Sequence, residues 1–562
     1  MSQAINGVMF QYFHWFLDID DVVQGNQPLW VFLKQQADHL RDIGIDAVWI
    51  PPPTKGSSGT SSTGYDIHDP YDLGEFPQRG PGRSKYGTKQ QLHEAINALH
   101  GYSQQADGSL VKDPNKRYLQ VIGDIVLNHR AGGDQDDYWQ AVRVDKEDRN
   151  QERWDPGFES GLIEIKAYTS FTFPARAGKH SSFTWSARHF DSVDTAYKLK
   201  QNGLEFDETG GKYIYRFIYN EQGFEPNLKN FEKWVSLEKG NYDYLQDCDL
   251  DYGREDVRLE VKTWGTWLVD TIGLDGVRLD AVKHITGGYI QEWLGHLRWK
   301  TGKPLFAVAE YIAGDTGTLH SYLTRVTATD QFPQPVTLFD FPLWFHFKDA
   351  SKAGDSYDLR SLDHGTLMAE QPRCAVTFVE NHDYQFGREY NSHVEEWFKP
   401  LAYAYILLRD KGYPCLFFPD YYGSHDSGHH RARPSGRNYL DLLLKLRKQF
   451  ALGEERFYAN RNVAGWVRMG GVEGARGAMA VVINNGFGRV QAIRMNTGRF
   501  GKRFYHLATL KLFNDKYVVA AGAYGVYGDK SDALWTDSHG WADFVADGGS
   551  VSIWIEDGVG IT

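Results

Sequence analysis

Seven times along the chain a short apolar run ends in polar or charged residues. The runs are "GVMFQYFHWF" at the N-terminus, "DAVWIPP" (46–52), "YLQVIGDIVLNH" (118–129), "LDGVRLDAVKH" (274–284), "PLFAVAEYI" (304–312), "CAVTFVENHD" (374–383) and "GYPCLFFPD" (412–420). Helix-length amphipathic patterns lie between them, near 30–43, 88–99, 255–272, 286–300, 396–410 and 437–450. Repeated strand–helix alternation predicts a parallel α/β sheet. So many units, with polar residues at one strand end after another, predict a closed (β/α)8 TIM barrel, whose chemistry gathers at the C-terminal strand ends.

Two regions break the rhythm. Residues 130–245 are too long and polar for a connecting loop, so they predict an inserted β-rich domain. Beyond 451 the helical pattern stops. "GAMAVVINNG" and "GGSVSIWIEDG" predict a C-terminal antiparallel β-sandwich over 451–562, which leaves 1–129 and 246–450 for the barrel. The stretch "GSSGTSSTG" (56–64) reads as a flexible loop, and the insertion at 101–117 carries no recognisable chemistry.

Polar strand ends concentrate the functional question. Arg278 and Asp280 share one face of a strand whose other face is apolar. A charged pair in a buried strand is costly unless each partner is satisfied, and a structural ion pair would answer that alone. Other strand ends add Asn128 and His129, Glu310, and His382 with Asp383. In a barrel these ends converge, so Asp280, Glu310 and Asp383 would share one mouth. An ion pair does not need three acids on separate strands. Carboxylates flanking a substrate are the apparatus for cutting a glycosidic bond: one group protonates the leaving oxygen while another attacks the anomeric carbon or activates water. Arg278 would keep Asp280 ionised, and Glu310 would have to stay protonated near neutral pH.

The net charge of −12 argues against a nucleic-acid partner, which wants a basic surface. Three scattered cysteines (Cys248, Cys374 and Cys415) give neither a disulfide framework nor a thiolate metal site. No apolar run is long enough for a membrane span, and the N-terminus lacks the basic region of a signal peptide. A monomer in the cytoplasm is expected; a secreted enzyme with its leader removed would read the same.

These strand ends resemble the four segments by which the α-amylase family, family thirteen of the glycoside hydrolases, is known. "FQYFHWF", "IGIDAVWIPPPTKG", "GYDIHDPYDLGEF", "SKYGTKQQLHEAI", "GNYDYLQDCDLDY" and "HGWADFVADGGSVSIWI" extend the resemblance to the bacterial liquefying-type enzymes over nearly the whole chain. The resemblance implies endo-hydrolysis of α-1,4-glucans by a retaining double displacement. Its implied roles are Asp280 as nucleophile, Glu310 as acid/base and Asp383 as transition-state stabiliser. Arg278, His129 and His382 would surround the sugar at the cleavage point, Tyr65 would stack beneath it, and Lys283 and His284 would line the acceptor side. It further implies a structural Ca2+ held by Asn128, Asp243, Asp249 and the backbone carbonyl of His284, hard oxygen donors suited to that ion.

Departures narrow the expectation. Ser182 stands where such relatives often carry Asp, so metals beyond one Ca2+ are not expected. Ile312 stands where they usually carry Trp, which would leave the acceptor side without a flat ring and favour water over a sugar acceptor. His425, His429 and His430 read as a polar rim loop rather than a metal site. A glucanotransferase or a fixed-length maltooligosaccharide-forming amylase of the same family shares the carboxylates and is the alternative reading.

Overall fold

A computed structural model of the protein describes residues 6–20, 25–105, 107–153, 161–201, 203–208, 211, 213–219, 227–228, 231–327, 335–388, 392–425, 432–520, 533–559 and 561. Eight parallel strands close a barrel in chain order: β1 (Met9–Gln11), β2 (Ala47–Ile50), β3 (Gln120–Ile125), β4 (Gly276–Leu279), β5 (Phe306–Ala309), β6 (Thr337–Phe339), β7 (Ala375–Phe378) and β8 (Tyr413–Phe417). Closure comes where Met9 of β1 lies opposite Cys415 of β8. The seven apolar runs supply seven of these strands. The eighth, β6, spans three residues and runs at once into the apolar helix Phe341–Ala353, so no change of period marks it.

The helix Glu255–Ile272 illustrates why the outer ring forms where it does. Glu255 and Asp256 sit in its first turn, against the positive end of the helix dipole. Gly273 ends it in the left-handed region at φ 78°, its N–H bonded to the Val269 carbonyl. The apolar face, Val257, Val261, Trp264 and Leu268, is buried. In the adjoining β4, a Cβ on Gly276 would lie 2.7 Å from the Phe306 carbonyl oxygen, so the barrel wall there admits no side chain.

Strand register positions the mouth. Leu279 pairs with Ile125 on one side and Ala309 on the other. The ladder continues one step further, with Asp280 N–H donating to the Ile125 carbonyl and Glu310 N–H to that of Leu279, both at 2.9 Å. Asp280 and Glu310 therefore stand side by side on neighbouring strands, about 4.8 Å being the usual spacing between such strands.

Between β3 and β4 the chain builds one ten-stranded sheet, centred on the long strand Gln135–Asp145. The excursion leaves through the short strand His129–Arg130 and returns through Cys248–Leu250; these two pair with each other, His129 opposite Asp249. After the last barrel helix, Arg437–Gln449, the chain forms a seven-stranded antiparallel sheet and a separate two-stranded one, Gln491–Asn496 with Trp541–Ala546. Val467, Val482, Phe504, Phe544 and Trp554 fill the layer between them. The larger sheet also touches the barrel, where Tyr517 donates to Glu396. Glu396 belongs to a buried knot in which Lys399 and Arg433 face Glu380 and Asp420, directly behind the loop that carries His382 and Asp383.

Two stretches without assigned chemistry are also placed. Residues 56–64 form a hydrogen-bonded turn rather than a flexible loop. Ser57 Oγ and Ser58 N–H both donate to Asp66, at 2.8 and 2.9 Å, and Ser62 is buried against the same carboxylate. This is the local side-chain capping that serine and aspartate favour. The 101–117 insertion is an exposed hairpin, Tyr102–Gln104 with Leu110–Lys112.

Candidate active site

Arg278 is the centre of the barrel mouth. Its side chain is 1% exposed, and its Nη1 donates to Asp124 at 2.8 Å and to Asp280 at 2.5 Å while Nη2 meets Glu310 at 2.9 Å. Burial disfavours the guanidinium charge, but the three carboxylates outweigh it and raise the pKa well above the ordinary value. The planar fork of arginine presents its donors in fixed directions, so one guanidinium serves several carboxylates at once.

The carboxylates respond differently to one surrounding. Burial raises the Glu310 pKa to about 8; Arg278 opposes the shift, while Asp280 and Asp383 reinforce it. Glu310 also accepts the Ala281 N–H at 3.2 Å, a contact made possible by the left-handed backbone of Ala281 at φ 46°. A non-glycine residue held there is strained, and such strain clusters where geometry is functional. Asp124 is raised to about 6, chiefly by burial against the pull of Arg278. Asp383 is raised by burial and lowered by Arg278 and Arg388.

Around the carboxylates lies a stack of rings. Tyr65 stacks on His382 with centroids 5.0 Å apart and on Trp15 at 6.0 Å, and its hydroxyl donates to Asp124 at 2.8 Å. The Gln11 amide lies 2.9 Å from His382 Nδ1 and donates to it, which leaves Nε2 as the N–H facing Asp383 at 3.2 Å. Burial, reinforced by Arg278, holds the imidazole pKa well below its usual value, so the ring is neutral. His129 Nε2 donates to the Tyr65 carbonyl at 2.7 Å and fixes the stack from below.

The remaining expected residues are distributed along one rim. Lys283 Nζ pairs with Glu238 at 3.0 Å. His284 turns its ring to Tyr242, donating from Nδ1 to that carbonyl at 2.6 Å; burial lowers its pKa to about 3. Ile312 is partly buried at the edge of the core. His425 is exposed, whereas His429 and His430 lie outside the described residues.

A second acidic group lies where the excursion meets the barrel. Carboxylate oxygens of Asp191, Asp243 and Asp249 are within 4.8 Å of one another. Asn128 Nδ2 donates to Asp249 at 2.6 Å, and Thr286 N–H donates to the neighbouring Glu232 at 3.0 Å, which brings the 284–286 turn to the same place. Burial, then mutual repulsion, raises Asp243 and Asp249 well above the carboxylate range, and burial brings Glu232 to about 8. Asn128 Oδ1, Asp249 Oδ2 and Glu232 Oε1 are buried without a hydrogen-bond partner. Such oxygen-only, negatively charged surroundings fit a hard divalent cation. Ser182 is exposed; the additional carboxylates come from Asp191 and Glu232 instead.

Asp124, Trp15, Arg388, Asp191 and Glu232 escaped the sequence reading. Asp124 had a readable signal, an acid alone within the apolar run "VIGDIVL". Arg388 meets Asp383 at 3.3 Å and covers the Trp15 ring at 3.5 Å, a contact that only folding creates.

A family model described as "Alpha amylase, catalytic domain" matches residues 32–426. The chain is 39% identical over 555 residues to an alpha-amylase of Geobacillus stearothermophilus, covering 99% of this chain and 88% of that one. It is 34% identical over 560 residues to the cytoplasmic alpha-amylase of Escherichia coli (strain K12), covering 98% and 99%. The structure of an alpha-amylase from Geobacillus thermoleovorans in complex with acarbose superposes with a TM-score of 0.58 at 16% identity over 98% of both chains, a likeness of fold.

Arg278→Gln removes the charge that three buried acids share. Breaking a buried ion network by deleting one partner typically costs about 3–5 kcal/mol. The thermal midpoint measured by calorimetry is expected to fall accordingly; an unchanged midpoint would mean that the acids sit there without needing the cation.

Proposed function

Because the chain belongs to the alpha-amylase family, we propose that Asp280, Glu310 and Asp383 are the groups with which it cuts its substrate. The chain is a glycoside hydrolase, an endo-acting α-amylase that hydrolyses α-1,4-glucosidic bonds of starch-like glucans. The observation that carries the assignment is the single guanidinium of Arg278 shared by Asp280 and Glu310, with Glu310 held protonated up to about 8.

In the first step Glu310 gives its proton to the glycosidic oxygen as the bond to the anomeric carbon breaks. An Asp280 carboxylate oxygen attacks that carbon from the opposite face and forms a glycosyl ester. Negative charge developed on Glu310 is met by Arg278. In the second step Glu310 takes a proton from water, the water oxygen displaces Asp280, and the configuration is restored. Asp383, with neutral His382 donating to it, is oriented to hold sugar hydroxyls and to offset the positive charge of the transition state. Tyr65 offers its ring to the sugar face.

Asn128, Asp243, Asp249 and the His284 carbonyl would hold a structural Ca2+, with Asp191 and Glu232 adding charge to the same surroundings. The orphaned buried oxygens support this reading. The ion's contribution is to neutralise acids that otherwise repel and to join the excursion to the barrel. We also assign the protein to the cytoplasm, in keeping with the name of its Escherichia coli relative, and as a monomer; cell fractionation and light scattering test the two assignments. Among the described residues no helix is long and apolar enough to cross a membrane.

Four outcomes are expected. NMR of fresh product from an α-glucan shows α-anomers first, and β-anomers first would overturn the double displacement. The pH profile of kcat/KM falls as pH rises through about 8, because the acid must carry its proton and loses it there. Glu310→Gln, which has no proton to give, loses about 10²- to 10⁴-fold in turnover and abolishes that limb while the circular-dichroism spectrum stays unchanged. Chelation lowers the melting temperature by several degrees, since a ligand of the folded state stabilises by mass action; metal analysis before and after checks that calcium has left.

A further inference from the structure

Trp234 presents an unusual combination. Its ring is 76% exposed, yet its backbone is held in the left-handed region at φ 68°. An indole left in water forfeits the gain that burying so large an apolar surface would bring, and a bulky residue rarely adopts that backbone conformation. Leu237, three residues on, is 80% exposed. The segment that carries them is otherwise firmly fixed. Val235 and Ser236 are buried, Ser236 N–H donates to the Lys283 carbonyl at 2.8 Å, and Tyr242 N–H closes back on Ser236 at 2.9 Å. Arg325 donates to the Trp234 carbonyl at 3.3 Å, and Lys283 pairs with Glu238. The Ser236 side chain lies close enough to influence Tyr311, the residue between Glu310 and Ile312. The indole is therefore a free ring on a rigid base, anchored to the residues that follow β4 and β5 on the rim of the catalytic mouth.

We propose that Trp234, with Leu237 beside it, is a stacking platform for a glucose unit of the α-glucan chain on the acceptor side of the cut. The inference rests on the reading of the chain as an α-glucan hydrolase and adds the ring that Ile312 does not supply. A pyranose presents an apolar C–H face the size of one indole, and the Lys283–Glu238 pair beside it offers partners for hydroxyls. One ring and one leucine are far smaller than the roughly 1,000 Å² a stable protein interface needs, and the segment that carries them is bonded to Lys283, three residues after Asp280. Because the backbone is already ordered, binding spends little entropy on the loop.

Two substrates separate this role from a structural one. Maltoheptaose places sugars on both sides of the cleaved bond, whereas an aryl maltotrioside places only the aryl group beyond it. In Trp234→Ala the ratio of kcat/KM for maltoheptaose to that for the aryl maltotrioside is expected to fall about fivefold, carried by KM, and Trp234→Tyr is expected to restore most of it. An unchanged ratio in Trp234→Ala, with the wild type hydrolysing maltoheptaose normally, overturns the platform. An equal loss on both substrates assigns Trp234 to holding the loop and overturns it as well. A wild type that turns over neither substrate overturns the parent reading, and the platform with it.

Discussion

The guanidinium of Arg278 is the contact on which the mouth depends. Burying one carboxylate in a barrel is unfavourable, and burying Asp124, Asp280 and Glu310 together is prohibitive without a cation at their centre. Register makes the arrangement possible. Leu279 pairs with both Ile125 and Ala309, so three neighbouring strands deliver their polar residues to one point. Burial raises Glu310 to about 8 and Asp124 to about 6, with Arg278 opposing both shifts, so one surrounding gives its carboxyls different affinities for a proton.

The ring stack acts on the same centre from the other side. Tyr65 binds Asp124 through its hydroxyl and His382 through its face, while Gln11 fixes the imidazole tautomer. The knot of Lys399, Arg433, Glu380 and Asp420 lies one residue behind this loop and reaches the C-terminal sheet through Glu396 and Tyr517. A buried charge network thus backs the segment that carries His382 and Asp383.

Much of this was legible in the sequence, for reasons that differ by residue. The helix Glu255–Ile272 is bounded by its own acids and glycine, so local chemistry defines both ends. Arg278 and Asp280 reveal themselves because charge in an apolar strand demands an explanation, and Asp124 could have been found by the same reasoning. The strand β6 could not, since three apolar residues before an apolar helix carry no period of their own. The turn at 56–64 looked loose because serine and glycine are common in loops; its order comes from Asp66, a partner that spacing alone does not identify. Asp191 and Glu232 lie more than forty residues apart in an excursion of weak pattern, and only tertiary folding brings them near Asp243 and Asp249.

The pairing of His129 with Asp249 has a consequence for how the chain reaches its native state. Everything between those residues forms one closed loop, tied where it leaves the barrel. The entropy lost in closing a loop grows only with the logarithm of its length, so a long excursion is scarcely harder to close than a short one. What it demands is time, because contacts so distant in sequence form late. Asp249 belongs to that tie and Asn128 precedes it, and each has one oxygen, Oδ2 and Oδ1 respectively, buried without a hydrogen-bond partner. A cation gathered there would act as a clasp on the loop as well as a prop for the finished fold.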